Sequence, residues 1–183
     1  MPLVSITRLR VRSLRYLPAF IAYSLGVAHQ AKSAPGNLAV SLLGELNFAF
    51  WTRTLWADER AMRGFMVSGA HRSVMPRLPN WCDEAAVAHW DQESLDPPSW
   101  QEVHRRMLQD GRPSPVDHPS EAQRRFEMPP PPTRGELRIK LTSDYYVSSP
   151  RAASPRPPDR PRRAATRRAR PWSRHRADSC VPW

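Results

Sequence analysis

The stretch from Phe48 to Trp81 constrains the fold of this chain more than any other, because its hydrophobic period changes within a few residues. Residues 48–56 alternate between two faces, as a β-strand does, with large aromatic side chains on both. Asp58 is a favourable N-cap for the helix predicted after it. That helix has an apolar stripe at helical spacing: Ala61, Met62, Phe65 and Met66. We expect Gly69 to end it. A strand that passes so directly into a helix indicates a small α+β domain.

The rest of the first 110 residues completes a ferredoxin-like order of elements. The same patterns predict strands over 3–11, 38–46 and 84–91, a helix over 17–32, a short helix over 70–78 and a helix from Ser99 to Gln109. The order β-α-β-β-α-β predicts a four-stranded antiparallel sheet with helices on one face. Strand 48–56 carries too much aromatic surface for both of its faces to be wet. We therefore expect a second copy of the chain to cover the open sheet face, as a homodimer.

Composition divides the chain into three parts. Residues 129–183 hold 13 Lys and Arg against 4 Asp and Glu, whereas residues 1–128 hold 15 against 13. Eleven of the 21 prolines also fall in residues 129–183. We predict a domain over 1–112, a Pro-rich linker over 113–133 and a disordered Arg/Pro-rich tail over 134–183.

The tail has two interpretations. Its arginines are able to contact phosphates, but no aromatic residues are interleaved with them, so nucleic-acid binding ranks last among the functions considered. The alternative is a tail with no selected role, which includes the product of a shifted reading frame.

The N-terminal region has the outline of a secretory signal, since arginines at 8, 10, 12 and 15 precede an apolar run over 17–28. That run is too short to span a bilayer. Four residues follow one another at spacings of three and four: Tyr16, Phe20, Tyr23 and Val27. This spacing favours a structural helix instead. The two cysteines, Cys82 and Cys180, suit a reducing compartment. We expect a cytoplasmic protein without a membrane partner.

Five residues in or beside the strand-to-helix stretch are candidates for a site. His71 is suited to accept a proton near neutral pH or to ligate haem iron, with capping of the short helix or a bond to a backbone carbonyl as the alternative. Arg53 is suited to hold an anionic group, with a structural ion pair as the alternative. Trp51, Trp56 and Phe65 are candidates to line a pocket for a planar ligand, with core packing as the alternative. No metal-ligand spacing such as C-x-x-C occurs, so no metal site is expected.

The same stretch carries a family resemblance. Its pattern consists of Phe50-Trp51, Thr54-Leu55-Trp56, Asp58-Glu59, Ala61-Met62 and Phe65, followed by Ser68-Gly69-Ala70-His71 and Met75. This pattern resembles the antibiotic-biosynthesis-monooxygenase-like group of dimeric α+β barrels. It is most similar to members related to spheroidene monooxygenase and to uncharacterised bacterial proteins. The resemblance covers roughly residues 3–110.

The resemblance implies a pocket between the sheet and the helices. Some proteins of this group oxygenate aromatic molecules without a cofactor, some bind or degrade haem, and many have no assigned activity. The expected function is therefore a monooxygenase-like protein that acts on or binds a hydrophobic planar small molecule, with His71 and the residues of strand 48–56 at the matching positions. The cofactor is either haem or none. The alternative is a non-catalytic dimeric structural or ligand-sensing protein of the same fold.

Overall fold

The computed structural model describes residues 1–140, and the predicted tail from residue 141 onward lies outside the described residues. The strands are β1 Leu3–Val11, β2 Asn37–Gly44, β3 Ala49–Trp56, β4 Cys82–Asp91, β5 Arg112–Pro113 and β6 Leu137–Lys140. The helices are α1 Leu17–Ser33, α2 Glu59–Met66, α3 Gly69–Val74, α4 Leu78–Trp81, α5 Trp100–Asp110 and α6 Glu121–Arg125. Short 3₁₀ turns precede α1 at Leu14–Tyr16 and α4 at Met75–Arg77.

One antiparallel sheet in the order β5-β4-β1-β3-β2-β6 contains all six strands. Strand β1 lies at its centre, with Leu3 opposite both Trp56 of β3 and Asp91 of β4. This is the split βαβ plan, so the predicted ferredoxin-like α+β fold is confirmed. Residues 137–140 fall within the predicted tail. They form an edge strand on β2, with Lys140 opposite Val40.

The first face of the sheet packs against α1, α2, α3 and α4. Even-numbered residues of β3 and odd-numbered residues of β1 point to this face, where Trp56 and Leu3 pack on Ala28 and Ala31 of α1 and Met62 of α2. Helices on one face of a ferredoxin-like core are therefore confirmed. No helix within residues 1–140 is long and apolar enough to cross a membrane.

Local capping explains where α2 begins and why the chain turns after it. The Asp58 side chain accepts a hydrogen bond from the backbone N–H of Ala61 at 2.8 Å, as predicted for an N-cap. The helix ends at Met66, three residues before the predicted stop. Gly69 instead begins α3, with φ at 53°, a conformation that favours glycine.

The second face of the sheet is covered by the chain itself. Val103 and Met107 of α5 are fully buried against Val4 and Ile6 of β1 and Trp51 of β3. We expected a second copy to cover this face, so the reason given for a homodimer does not apply, and the homodimer stays a prediction.

Residues 113–133, predicted as a linker, also contact the second face. The backbone N–H of Ser114 donates to the Ala85 carbonyl at 2.9 Å, and the Gln123 side chain bonds both the N–H and the carbonyl of Ala85 at 3.0 Å. Phe126 and Met128 pack on the core of this face. The apolar residues of this Pro-rich segment give it a surface to bury, which its proline content did not reveal.

A buried charged network also lies on the second face. Arg8 is 2% exposed, and its guanidinium bonds Glu45 at 2.9 Å and Glu84 at 2.6 Å. The Trp51 indole N–H donates to the same Glu45 carboxylate at 2.6 Å. An unpaired buried charge is costly, so each of these groups requires the others. Nothing in the local sequence pattern predicts this network, because its members are far apart in the chain.

Candidate functional site

A cavity of about 110 Å³ lies between the first face of the sheet and the helices above it. Strands β1, β2, β3 and β4 supply its floor, and α1, α2 and α3 supply most of its roof. The fold therefore places a cavity where the family resemblance implied a pocket.

The floor of the cavity is polar for a sheet face that packs on helices. Ser5 of β1 lies opposite Thr54 on one side and His89 on the other, and Thr7 lies opposite Thr52. The Thr54 hydroxyl donates to the Ser5 carbonyl at 3.2 Å. The hydroxyls of Ser5, Thr7 and Thr52 have no hydrogen-bond partner within residues 1–140. They are therefore free to bond a ligand.

The roof of the cavity is apolar apart from Ser24 and His71. The side chains that form it include Phe20, Val27, Ala28, Ala31, Met62, Phe65, Met66, Val74 and Met75. No Asp, Glu, Lys or Arg of the described chain lines the cavity. Its chemistry suits an uncharged, largely apolar molecule that carries one or two hydrogen-bonding groups.

His71 lines this cavity from the start of α3. Its ring Nδ1 lies 2.9 Å from the Met66 carbonyl, which only accepts, so Nδ1 carries the proton and the neutral ring has its lone pair on Nε2. The backbone N–H of His71 donates to the Gln30 side chain at 2.9 Å. Burial lowers the pKa of His71, and the bond to Met66 offsets part of that effect. The side chain is therefore a neutral base near pH 7.

His89 is a second histidine on the cavity, and it was not among the predicted site residues. Burial lowers its pKa, the charge of Arg112 lowers it further, and Glu59 partly offsets both. The alternation of β4 supplied the signal, because it places His89 on one face and Trp90 on the other. Trp90 packs on the second face. The row of hydroxyl neighbours beside His89 depends on strand pairing, which the sequence of one strand does not reveal.

Three of the five predicted site residues meet at the cavity. Trp56 is fully buried, and its indole N–H donates to the Thr54 hydroxyl at 2.8 Å. The ring centroid of Phe65 lies 5.1 Å from that of Trp56 and 4.8 Å from that of His71. These three residues form a continuous aromatic wall.

Trp51 and Arg53 lie on the second face and do not reach this cavity. The Arg53 guanidinium lies 2.5 Å from Glu136, donates to the Pro98 carbonyl and lies 4.5 Å from the Trp100 ring centroid. Burial lowers its pKa, and the charge of Glu136 partly offsets this. The prediction that one pocket beside strand 48–56 holds all five residues is therefore wrong. Successive residues of a strand face opposite sides, so the five are divided between two faces. The ion-pair alternative describes the position of Arg53.

A more open cleft of about 440 Å³ adjoins the cavity. The two spaces share Met62, Met66, Val87 and His89 as lining residues. Charged side chains line the cleft beyond this shared wall: Glu59, Arg63, Asp110 and Arg112. The cleft therefore provides a polar approach to an apolar interior, separated from it by flexible methionines.

Haem does not fit the cavity while Met62 and Met66 separate it from the adjoining cleft. A porphyrin bound through His71 would occupy the cavity that His71 lines, and about 110 Å³ is well below the roughly 300–1,000 Å³ of pockets for drug-sized molecules. No cationic side chain lines that space to pair with the propionates of haem. Cys82 is buried, and burial followed by the charge of Asp83 raises its pKa to about 12. No group of metal-ligating side chains occurs within the described part of the chain.

Comparison with known proteins gives structural matches only. No protein-family model matches the sequence, and no curated protein sequence matches it. About half of the chain aligns with nearly the whole of several solved structures. One is SnoaB of Streptomyces nogalater, described as a cofactor-independent oxygenase (15% identity, 51% of this chain and 94% of that one, TM-score 0.44).

Two other matched structures cover a similar part of the chain. They are a putative antibiotic biosynthesis monooxygenase of Nitrosomonas europaea (14% identity, 50% and 90%, TM-score 0.46) and Rv0793 of Mycobacterium tuberculosis (14%, 51% and 100%, TM-score 0.46). All three alignments are at 15% identity or less, with TM-scores below 0.5. The closer relation to spheroidene monooxygenase is not supported.

Proposed function

We propose that the chain is a monooxygenase-like protein that binds a hydrophobic, planar, uncharged small molecule in the cavity between the sheet and α1–α3. The observation that carries the proposal is the wall formed by Trp56, Phe65 and His71, with the neutral base of His71 at its end. Flat rings favour flat ligands, and the unpaired hydroxyls of the floor favour a ligand with polar substituents.

The proposed ligand extends from the cavity into the adjoining cleft. The cavity alone, at about 110 Å³, is smaller than an engineered cavity of roughly 150 Å³ that binds benzene in another protein. The cleft adds about 440 Å³ beyond Met62 and Met66. Rotation of these two methionines would join the two spaces into a pocket of ordinary size.

The proposed role of His71 is to accept a proton from an acidic hydroxyl of the ligand at Nε2. Its pKa is lowered by burial, so Nε2 is unprotonated near pH 7 and available as a base. Trp56 and Phe65 are proposed to hold the ring of the ligand. No role toward the ligand is proposed for Trp51 or Arg53, since neither contacts this space.

Binding of 4-nitrophenol tests this proposal, because its ionised form absorbs visible light and its neutral form does not. The full chain is expected to bind it and to raise the ionised fraction at a fixed pH. His71→Gln is expected to keep binding within about threefold but to lose the added ionisation. His118→Gln, an exchange of an exposed histidine, serves as the matched control. Equal ionisation in His71→Gln and the parent would show that His71 is not the base. Absence of binding to the parent would contradict the proposed site.

Oxygen uptake separates an enzyme from a ligand-binding protein of the same fold. Ligands that bind in competition with 4-nitrophenol are added to the full chain in an oxygen electrode. Uptake that is lost in His71→Gln supports catalysis. Binding without uptake for every such ligand favours the non-catalytic ligand-sensing alternative.

A further inference from the structure

The outer surface of α1 is unusually apolar for a helix on the outside of a protein. Every exposed residue between positions 18 and 26 is uncharged and lacks a polar side chain: Pro18, Ala19, Ile21, Ala22, Leu25 and Gly26. Ile21 and Leu25 are 41% and 50% exposed, and Leu14 in the preceding turn is 65% exposed. The outer face of a surface helix normally carries charged or polar side chains.

Arginines and aromatic rings border this apolar face. The Tyr16 ring centroid lies 4.9 Å from the Arg12 guanidinium and 4.5 Å from that of Arg15. Arg77 lies 5.2 Å from the ring centroid of Tyr23. Trp81 packs beside both tyrosines, at 6.4 and 5.7 Å. None of these arginines forms an ion pair with a carboxylate within residues 1–140.

The surrounding sequence lacks negative charge altogether. Residues 1–44 and 60–82 contain no Asp or Glu. The segments that form this side of the molecule, 12–33 and 69–81, together carry five cations: Arg12, Arg15, Lys32, Arg72 and Arg77. An apolar face bordered by cations and by half-buried Tyr and Trp side chains has the chemistry of a surface that lies in the headgroup region of a membrane.

We propose that this surface, formed by α1 with the turn before it and the Arg77 region beside it, docks on a bilayer that contains anionic lipid. Leu14, Ile21 and Leu25 enter the boundary between headgroups and acyl chains, while Arg12, Arg15 and Arg77 bind lipid phosphates and carboxylates. Arginine side chains reach the headgroups while their stems lie along the aromatic rings. We expected no membrane partner because of the short apolar run, an argument that concerns only a spanning helix.

The charge and the apolar area of this surface favour a bilayer over two other partners, a second copy of the chain and a nucleic acid. A second copy on the same surface would bring arginine clusters together with no carboxylate nearby, and like charges in contact are costly. Nucleic acid would pair with the arginines but would leave Leu14, Ile21 and Leu25 in water. A bilayer with anionic lipid satisfies both the charge and the apolar area.

Co-sedimentation of the full chain with lipid vesicles tests the proposal. Vesicles of phosphatidylcholine with about 30% phosphatidylserine are expected to bind the protein, and pure phosphatidylcholine is not. Arg15→Gln with Arg77→Gln should weaken binding roughly fivefold per exchange. Ile21→Ser with Leu25→Ser should weaken it about tenfold, since these exposed residues contribute to the membrane contact and little to the fold. Thermal unfolding checks the fold, and Leu14→Ser is an independent apolar exchange if the pair is unstable.

The basic tail requires a matched control, because it also attracts anionic lipid. Arg167→Gln with Arg168→Gln removes equal charge from the tail and should weaken binding less than the Arg15 and Arg77 pair. Equal losses in the two pairs, or parent-like binding by the Ile21 and Leu25 pair, would overturn the proposal. The proposal would also be overturned if the parent protein were a dimer, and if the Ile21 and Leu25 exchanges made it a monomer without a loss of lipid binding. DNA binding that falls only in the Arg15 and Arg77 pair, without lipid binding by the parent, would identify a nucleic-acid surface instead.

Discussion

The two ring nitrogens of His71 have different roles, and the backbone determines which is which. The chain turns between α2 and α3, which brings the Met66 carbonyl to Nδ1 and the Phe65 ring against the imidazole. Nε2 is left as the basic atom in a space without charged side chains. This arrangement keeps the histidine neutral and places a base beside an apolar ligand. It also destabilises the folded protein at low pH, where the histidine would be protonated.

The protein is predicted to become less stable as the pH decreases, because of His71 and His89. Burial lowers the pKa of both histidines in the folded protein below the ordinary value of 6.5. The unfolded chain therefore binds protons first, so the stability is fully present above about pH 6.5 and is lost as the pH falls toward the folded pKa values. Each histidine contributes at most ~1.4 kcal/mol per pH unit in that window.

Urea unfolding from about pH 7.5 down to about pH 5.5 measures this dependence. His71→Gln is expected to flatten the decline, and the double exchange with His89→Gln to flatten it further. His118→Gln, at an exposed position, is expected to leave the slope as it is. An unchanged slope in the double variant would show that neither histidine is responsible.

Residue-level prediction from the sequence reached part of this site. Of the residues that the strand-to-helix pattern named, Trp56, Phe65 and His71 line the cavity, because a strand period and a helix period locate each side chain on its own element. Arg53 and Trp51 lie on the other face, because a single strand does not reveal which of its faces meets the helices. The polar floor was missed since Ser5, Thr52 and His89 come together only through the register of β1 with its neighbours.

At the scale of elements, the turn between α1 and β2 depends on one glycine. Gly36 has φ at 77°, and a Cβ there would lie 2.6 Å from the Cβ of Ala61 in α2. The turn and the helix are thus packed too closely for any side chain. The residue types of Pro35-Gly36 favour a turn, but the contact with α2 is a tertiary feature that the local pattern does not contain.

Exchange of Gly36 for alanine is predicted to destabilise the protein by more than the roughly 1–2 kcal/mol of the left-handed backbone alone. Gly64→Ala is the matched control, since Gly64 lies inside α2 with a helical backbone, and a Cβ added there would meet no atom within 4 Å. It should stabilise the protein by about 0.5–1 kcal/mol. Chemical unfolding measures both, and equal effects of the two exchanges would contradict the close approach of turn and helix.

Element prediction was most accurate where amphipathic periods are long. Strand β1 has the predicted bounds, and α5 begins after Ser99, whose hydroxyl caps it by accepting from the Glu102 N–H at 3.2 Å. Strand β3 begins one residue late, because Phe48 has φ at 64° and belongs to the hairpin turn. The helix over 70–78 divides into α3, a 3₁₀ turn and α4, since its prolines interrupt the helical hydrogen bonds.

At the scale of the whole molecule, the covering of the second sheet face separates this chain from a minimal ferredoxin-like unit. Local periodicity predicted α5 but did not indicate which layer it joins. The surplus of aromatic surface on β3 correctly indicated that the second face is covered. It did not indicate which apolar surface covers it. The chain fills that place with Val103 and Met107 of α5 and with Phe126 and Met128.

Truncation of the Met107 side chain tests whether α5 or the sheet of a second copy covers the second face. Met107 is fully buried between α5 and the sheet, so Met107→Ala is predicted to lower the free energy of unfolding by about 2–5 kcal/mol. Leu108→Ala, on the exposed side of the same helix with 47% of the side chain accessible, should change it by less than about 0.5 kcal/mol. If a second copy displaced α5 in solution, Met107 would lie in water, the two exchanges would have similar small effects, and the unfolding midpoint would rise with protein concentration. A large loss for Met107→Ala at a concentration-independent midpoint would instead establish that the chain covers its own sheet, and any homodimer would then use another surface.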